Sequence, residues 1–506
     1  MNVQQIMDTY FAGNCRPLYQ PIFGHPEYNA RVNSLDNDER VQTLSKLIRQ
    51  FQTKTGKKEI HILDIGSAEG YIDLCLKKEF GDDVKITCYE QFEHSVELSK
   101  AINDEFGFDI SFNNSPKSNL EFANNLSDQN FDIVFLFDII YWTSLKDGGW
   151  KNTKQWLSIL AKNSSVLLLE LAGYDNNNDM LAPKLYDNWF NRISYYKKIT
   201  SFKYSNDNIE RPFYIASNKY VYLNNTFYTI EHYDSSFNGM RRAFLCGDCL
   251  IKMLYKNVTN DFEITNSDAI FEMQNEVNNC NLNFSFSPNI DYFYETSDDV
   301  NLVLRLKKIG ANKLKLKIHD YKKECGKILN VLDNLIELES KNLYHYDLTT
   351  QNIMETKDGE AFLIDLGAAI PKNIMSGGNK MIYEFDPKSK YNSYDAFIGI
   401  VIDFFRSNMM KGYEGDLLHS FIPNIFFDEN SLLPQGVKNF LKKYQITKHE
   451  ELSFELLKRY FNDYVINEKQ LILTRDEKVI YGLEYERRRN EDAHLKMFSI
   501  AKIIKQ

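Results

Sequence analysis

The sequence predicts an α/β chain with two unlike parts: a doubly wound parallel sheet, then a two-lobed α+β unit ending in a C-terminal helix. Three observations predict it. Apolar strand-like runs alternate with amphipathic helical runs between about residues 60 and 171, the pattern of a parallel sheet covered on both faces. Beyond about residue 220 short strands follow one another directly, and helical periodicity then dominates to the end. At 506 residues the chain also exceeds what one ordinary core supports. We place domains at 1–217 and 218–464, with a helical tail at 465–506.

The elements follow in order. Residues 1–58 read as helical, interrupted where Pro17, Pro21 and Pro26 forbid a continuous helix. That interruption carries Leu18, Tyr19, Ile22 and Phe23, so it is expected to be an ordered loop. Strands are expected at 60–65, 84–89, 131–137 and 166–171, and helices at 71–80 and 95–106. In the second part, strands are expected at 220–228, 242–245, 249–254 and 300–306, and helices at 271–277 and 315–342. Helical character continues from 391. A coiled-coil reading of the tail puts Ile480, Leu483, Arg487, Asn490, His494 and Met497 on the seam. Half of these are polar or charged, so a solvated helix fits as well as a homo-oligomer seam.

Composition narrows the function classes. A net charge of −10 argues against general nucleic-acid binding, which needs a basic footprint. No run of about 18 apolar residues and no signal-peptide pattern is present, which fits a cytoplasmic protein. Seven scattered cysteines fit a reducing compartment. Cys246-Gly-Asp-Cys249 has metal-like spacing but no matching second pair, and Gly-Asp there reads as a hairpin turn.

The first chemical motif is His61-Ile-Leu-Asp-Ile-Gly-Ser-Ala-Glu-Gly70, a strand running into a Gly-rich turn and a helix. Gly66 lets the backbone approach a ligand, beside Asp64 at the strand end. Glu90 ends the second strand, where a carboxylate accepts hydrogen bonds from ribose hydroxyls. Position 68 is Ala, so the full Gly-x-Gly-x-Gly spacing is broken. The layout resembles class I S-adenosylmethionine-dependent methyltransferases, a Rossmann-like fold, and the third strand ending at Phe137 fits them too. The turn is too short to cradle a pyrophosphate, which disfavours a dinucleotide oxidoreductase. An anionic acceptor needs no metal for methyl transfer, only alignment and charge; Arg31, Arg40 and Arg211 are candidates for holding it.

The second motif is His345-Tyr-Asp-Leu-Thr-Thr-Gln-Asn352, followed by Leu363-Ile-Asp-Leu-Gly367. Asp347 suits a base that accepts an attacking hydroxyl's proton, and Asn352 and Asp365 suit magnesium ligands. Gly359 marks a turn between them. Lys252 in a strand and Glu276 on the following helix suit the ion pair that orients ATP. No Gly-rich phosphate loop precedes Lys252; Arg241 and Arg242 are candidates for its role. No protein-substrate segment follows Gly367, which favours a small-molecule or glycan hydroxyl as acceptor.

With both sites placed, the chain resembles the WbdD family, bifunctional methyltransferase–kinases that terminate polymannose O-antigen chains. The resemblance rests on Tyr19-Gln-Pro-Ile-Phe-Gly-His-Pro-Glu-Tyr-Asn29, Asp64-Ile-Gly-Ser-Ala-Glu-Gly70, Leu169-Glu-Leu-Ala172, Arg211-Pro-Phe-Tyr214, Asn275-Glu276 and the kinase loops. It implies that the terminal non-reducing sugar of a lipid-linked glycan is phosphorylated and the phosphate then methylated, which stops elongation in lipopolysaccharide biosynthesis. It implies Tyr19, Gln20 and Arg40 at the methyl donor, Glu90 and Gln91 at its ribose and adenine, and, loosely, Asn114 and Ser115. The family continues into a long coiled coil and a membrane-binding tail, whereas this chain stops at Gln506; peripheral association with the cytoplasmic face of the inner membrane and a glycan polymerase partner are further expectations. Where the family has a His-His pair, this chain has Tyr141-Trp142. Two other readings stay open: a methyltransferase with an inactive kinase-like module, and a scaffold that binds a polymerase.

Overall fold

A computed structural model describes residues 3–12, 18–32, 36–115, 122–124, 126, 129–140, 150–171, 190, 192–204, 209–236, 240–247, 249–255, 266–287, 300–307, 311–313, 321–345, 347–371, 393–407, 434–448, 451–472 and 475. The chain divides into two compact units, Met1–Phe262 with Tyr294–Val303, and Glu263–Phe293 with Leu304–Gln506. Tyr141-Trp142 and the seam expected beyond residue 476 lie outside the described residues.

The first unit begins with helices α1 (Val3–Ala12) and α2 (Asn37–Thr55). Then come β1 (Ile60–Ile65), α3 (Tyr71–Phe80), β2 (Val84–Glu90), α4 (Glu93–Glu105), β3 (Ser111–Asn114), β4 (Phe131–Phe137), α5 (Trp150–Asn163), β5 (Ser164–Glu170), β6 (Tyr195–Tyr204) and β7 (Ile209–Ser217). The strands form one seven-stranded sheet in the order β3-β2-β1-β4-β5-β7-β6. β1 to β5 pair in parallel, while β7 runs antiparallel to both β5 and β6. Order reverses between β1 and β4, and a ligand crevice opens at the carboxyl ends of the strands at such a point. Near-continuous burial along β1, β4 and β5 reflects a sheet covered on both faces.

The expected strands at 60–65, 84–89, 131–137 and 166–171 fall on β1, β2, β4 and β5. β3 is only four residues long, and β6 and β7 carry charged residues at the sheet's edge, so neither signal stands out. The single strand expected at 220–228 is instead a hairpin of β8 (Tyr220–Leu223) and β9 (Thr226–Thr229). Asn224 and Asn225 turn it, with φ of 47° and 58°, the left-handed region that asparagine tolerates better than most residues. The hairpin packs on α2, with Phe51 edge-on to Tyr220 and Phe227.

β10 (His232–Ser236), β11 (Arg241–Cys246) and β12 (Cys249–Tyr255) follow, in a four-stranded sheet completed by β13 (Val300–Lys307). Cys246 and Cys249 pair across the two-residue turn, with Gly247 at φ 58°, so the expected hairpin is present there. β10, β11, β12 and residues 300–303 of β13 belong to the first unit, and side chains join β11 and β12 to β6. Tyr255 on β12 donates its hydroxyl to the Tyr196 carbonyl at 2.8 Å, and Tyr195 lies edge-on to Phe244 of β11. The division by contacts therefore falls after Phe262, inside the region expected to be kinase-like.

The second unit contains α6 (Asn266–Cys280), β14 (Ala311–Lys313), α7 (Tyr321–Ser340), β15 (Leu343–His345), β16 (Ile353–Thr356), β17 (Ala361–Leu363), β18 (Ala369–Pro371), α8 (Ser393–Ser407), α9 (Gln435–Ile446) and α10 (Phe454–Tyr460). Its core is built around α7, whose Cys325, Ile328, Val331, Leu332, Leu335 and Leu338 are fully buried at helical spacing. That face packs against β15, β17 and α10. β14, β16 and β17 form one small antiparallel sheet, and β15 pairs with β18. Among the described residues no helix is long and apolar enough to cross a membrane.

Two candidate active sites

The first site grows from the turn after β1. Gly66 (φ 89°) and Gly70 (φ 72°) adopt conformations that disfavour a side chain, and a Cβ on Gly70 would stand 2.8 Å from the Phe112 ring. Ala68 adopts the same left-handed region at φ 50°, at a cost of about 1–2 kcal/mol. Glu90 offsets that cost. Its carboxylate accepts the Ala68 amide and the Phe92 amide, each at 2.9 Å, and is itself buried. The carboxylate that sequence spacing assigns to a ribose thus also holds the turn. Each oxygen keeps a further lone pair for a hydroxyl donor.

Gln91 is exposed just beyond Glu90. Asn114 pairs with Glu90 across β2 and β3, and the Ser115 amide donates to the Glu90 carbonyl at 2.7 Å. Phe137 ends β4, stacked 5.1 Å from Phe135. The carboxyl ends of β1, β2, β3 and β4 therefore gather Gly66, Glu90, Gln91, Asn114, Ser115 and Phe137 at one edge of the sheet.

The N-terminal loop joins them through Glu69, which the sequence did not single out. Glu69 is fully buried and accepts the amides of Tyr19 (3.3 Å) and Gln20 (2.9 Å). Gln20 in turn accepts the Tyr71 amide at 3.0 Å, at the start of α3. Arg40 makes a buried two-pronged pair with Glu170, at 2.7 and 2.9 Å. Arg211 pairs with Asp138 at 2.8 Å and donates to the Tyr19 hydroxyl. Burial, then the charge of Asp138, pushes the Tyr19 phenol up, so it stays protonated. Burial also pushes Asp138 up to about 6, against the pull of Arg211. Arg40 and Arg211 are thus matched by buried acids in this structure. The Arg31 side chain lies outside the described residues.

Asp64 is placed differently from expectation. It is 2% exposed and turned inward, where burial and neighbouring Asp73 push its carboxyl well above the ordinary value. Asp73 on α3 is fully buried and pushed up to about 6 by burial. The two carboxyls lie beside each other, with the Cys88 thiol and the Asp73 amide next to the second, and burial favours the protonated form of both.

The second site lies on the loops around β16 and β17. His345, fully buried at the end of β15, bonds through Nε2 to the Ile364 carbonyl at 3.0 Å. That bond ties the segment before Asp347 to the segment before Asp365. Asn352 closes a single turn of 3₁₀ helix and donates through Nδ2 to Asp347 Oδ2 (2.9 Å) and to the Asp347 carbonyl (2.7 Å). Its Oδ1 is left as an acceptor for a cation. The expected turn at Gly359 (φ 89°) joins β16 to β17, and the Ile364 amide donates back to the Asn352 carbonyl at 2.9 Å. Asp365 follows at φ 59°, and Leu366, Gly367 and Ala368 form a buried single turn behind it.

Glu276 is buried on α6. Gly367 explains the closeness of that helix: a Cβ there would stand 2.7 Å from the Glu272 carbonyl oxygen. Lys252 lies mid-strand in β12, opposite Ala243, in the first unit, whereas Glu276, Asp347, Asn352 and Asp365 belong to the second. Arg242 corrects an expectation. It is buried, donates to the Ile193 and Ser194 carbonyls at 2.6 and 2.7 Å, and lies over the rings of Tyr196 and Tyr255. Its charge serves the core, and the alternation along β11 leaves Arg241 on the opposite face. Spacing did not single out Glu69, Asp138 or Glu170 as parts of the first site. Each acts through a partner remote in sequence, and a single sequence carries no signal for that.

No family model and no curated protein matches the chain. Solved structures do. A 2.2 Å crystal structure of WbdD superposes with a TM-score of 0.66 at 19% identity, covering 96% of this chain and 100% of that one. A medium-resolution structure of WbdD, described as a bifunctional kinase-methyltransferase, gives 0.68 at 18% identity, covering 96% and 100%. A low-resolution WbdD structure with its C-terminal bundle ordered gives 0.68 at 19%, covering 99% of each chain. Likeness at such identity is likeness of fold. Over nearly its whole length this chain is similar in fold to WbdD: a Rossmann-like class I methyltransferase architecture followed by a kinase-like α+β architecture, the fold class expected from the sequence.

Proposed function

We propose that the protein is a bifunctional transferase, an ATP-dependent sugar kinase and an S-adenosylmethionine-dependent methyltransferase. It phosphorylates the terminal non-reducing sugar of a lipid-linked, polymannose-like O-antigen glycan and methylates that phosphate, which stops elongation. The carrying observation is the loop pair in which Asn352 holds Asp347 while Asp365 lies at the end of the same hairpin.

In this reading Asp347 accepts the sugar hydroxyl's proton as its oxygen attacks. Asn352 Oδ1 and Asp365 hold Mg²⁺, while Lys252, Glu276 and Arg241 keep the ATP-orienting roles read from the sequence. Bound MgATP supplies the phosphoryl group and cation charge. The functional kinase domain starts near residue 218, although the first compact unit runs further. At the other site Glu90 and Gln91 hold the ribose and adenine of the methyl donor, with Gly66, Phe137, Asn114 and Ser115 around it. Tyr19 and Gln20, fixed by Glu69, close over it, and Arg40 and Asp64 support the site. The bound sulfonium supplies an electrophilic methyl group, and a phosphate monoester is anionic enough to accept it without a metal.

A glycan polymerase partner, a homo-oligomer through the tail and a place at the cytoplasmic face of the inner membrane belong to the same reading. Mass spectrometry of a short synthetic mannoside incubated with ATP, Mg²⁺ and S-adenosylmethionine tests it. The expected product is a methyl phosphate formed only after phosphorylation. Equal methylation of the unphosphorylated glycan, or no product, would sink the reading.

A further inference from the structure

We propose that Asn275 and Asn279 are positioning residues that tie the metal loop to α6, so that Glu276 and Asp365 move as one body. This rests on the kinase reading above. The two asparagines are one helical turn apart and share a face of α6. Asn275 Nδ2 donates to the carbonyls of Gly367 (2.8 Å) and Ala369 (2.9 Å). Asn279 Nδ2 donates to those of Leu366 (2.7 Å) and Ala369 (2.6 Å). Both hydrogens of each amide are thereby used, on carbonyls that follow Asp365 within four residues.

The chemistry explains the choice of residue. Leu366, Gly367 and Ala369 are buried, and their carbonyls need donors that the short 3₁₀ turn does not supply to all of them. A side-chain amide offers two hydrogens from one atom; an aspartate would repel these oxygens, and a leucine would leave them bare. Asp365 itself sits in the left-handed region, which persists in a residue with a side chain when its surroundings over-determine it. The asparagine bonds just beyond it, the His345 bond just before it, and the contact of Gly367 with the Glu272 carbonyl do so together.

Phosphoryl transfer on this plan needs the helix glutamate and the metal-binding aspartate in place at the same time. A helix free to swing makes that a switch. Four amide bonds make it a fixed property of the folded unit.

The test uses the full chain. Hydrogen exchange of the unliganded wild type is expected to show 366–369 and 272–279 opening together, at one rate. In Asn275→Ala/Asn279→Ala, the Mg²⁺ concentration for half-maximal ATP binding, read by calorimetry, is expected to rise about 10–100-fold, the range seen when supports of a metal ligand are removed. Metal-free ATP binding and S-adenosylmethionine binding are expected to stay within about twofold. Independent exchange rates in the wild type, or an unchanged Mg²⁺ requirement in a folded variant, overturns the proposal. Should the double variant fail to fold, the wild-type exchange rates still decide it. A wild type that takes up no MgATP removes the kinase reading, while joint exchange of the two segments would still stand.

Discussion

The side-chain amide of Asn352 donates to Asp347 twice, once to the carboxylate at 2.9 Å and once to the main-chain carbonyl at 2.7 Å. The asparagine thereby aims the carboxylate and has its own carbonyl turned to the other side. Base and cation ligand are thus adjacent in one hydrogen-bonded loop.

Asp347→Asn keeps the shape and removes the base. Phosphorylation of a mannoside is expected to fall by about 10²–10⁴ in kcat. MgATP affinity, measured by calorimetry, is expected to stay within about threefold, since the cation ligands remain. Unchanged turnover would show that the proton goes elsewhere.

Glu69→Gln replaces one of two acceptors that receive buried amides from Tyr19 and Gln20. One amide then faces an NH₂ group, and stability is expected to drop by about 1–3 kcal/mol in urea unfolding. S-adenosylmethionine should bind more weakly while MgATP binding holds. Equal weakening of both would mean that Glu69 has no special tie to the first site.

The Asp64–Asp73 pair makes stability depend on pH. Both folded-state carboxyls are raised, so between about pH 4 and 6 the native chain binds more protons than the unfolded one. Their contribution is therefore fully favourable below the ordinary aspartate range and declines as pH rises towards about 6. Asp73→Asn donates to Asp64 without needing that proton. It is expected to flatten the slope and to be more stable than wild type by about 1–2 kcal/mol at pH 7.5. Parallel pH profiles in urea titrations of the two proteins would contradict this.

The turn offers a paired comparison. Gly70→Ala adds a Cβ at φ 72° and 2.8 Å from Phe112, and is expected to cost about 2–4 kcal/mol. Ala68→Gly relieves the left-handed strain at φ 50° and is expected to be neutral or to stabilise by up to about 1 kcal/mol. Thermal unfolding of both variants checks the pair, and the reverse order would mean that the turn is held by something other than its backbone.

Local chemistry was readable along the chain because it is local. Apolar runs and Gly-rich punctuation placed β1, α3, β4 and the Gly359 hairpin, and the spacing from His345 to Asp365 placed the loops around them. Tertiary structure alone decided what the buried charges do. It matched Arg40 with Glu170 across 130 positions, turned Arg242 into the core, and set Asn275 and Asn279 against carbonyls about 90 residues away. A buried ion or amide needs a partner, but its own sequence neighbourhood does not say which one; only the folded chain brings the two together.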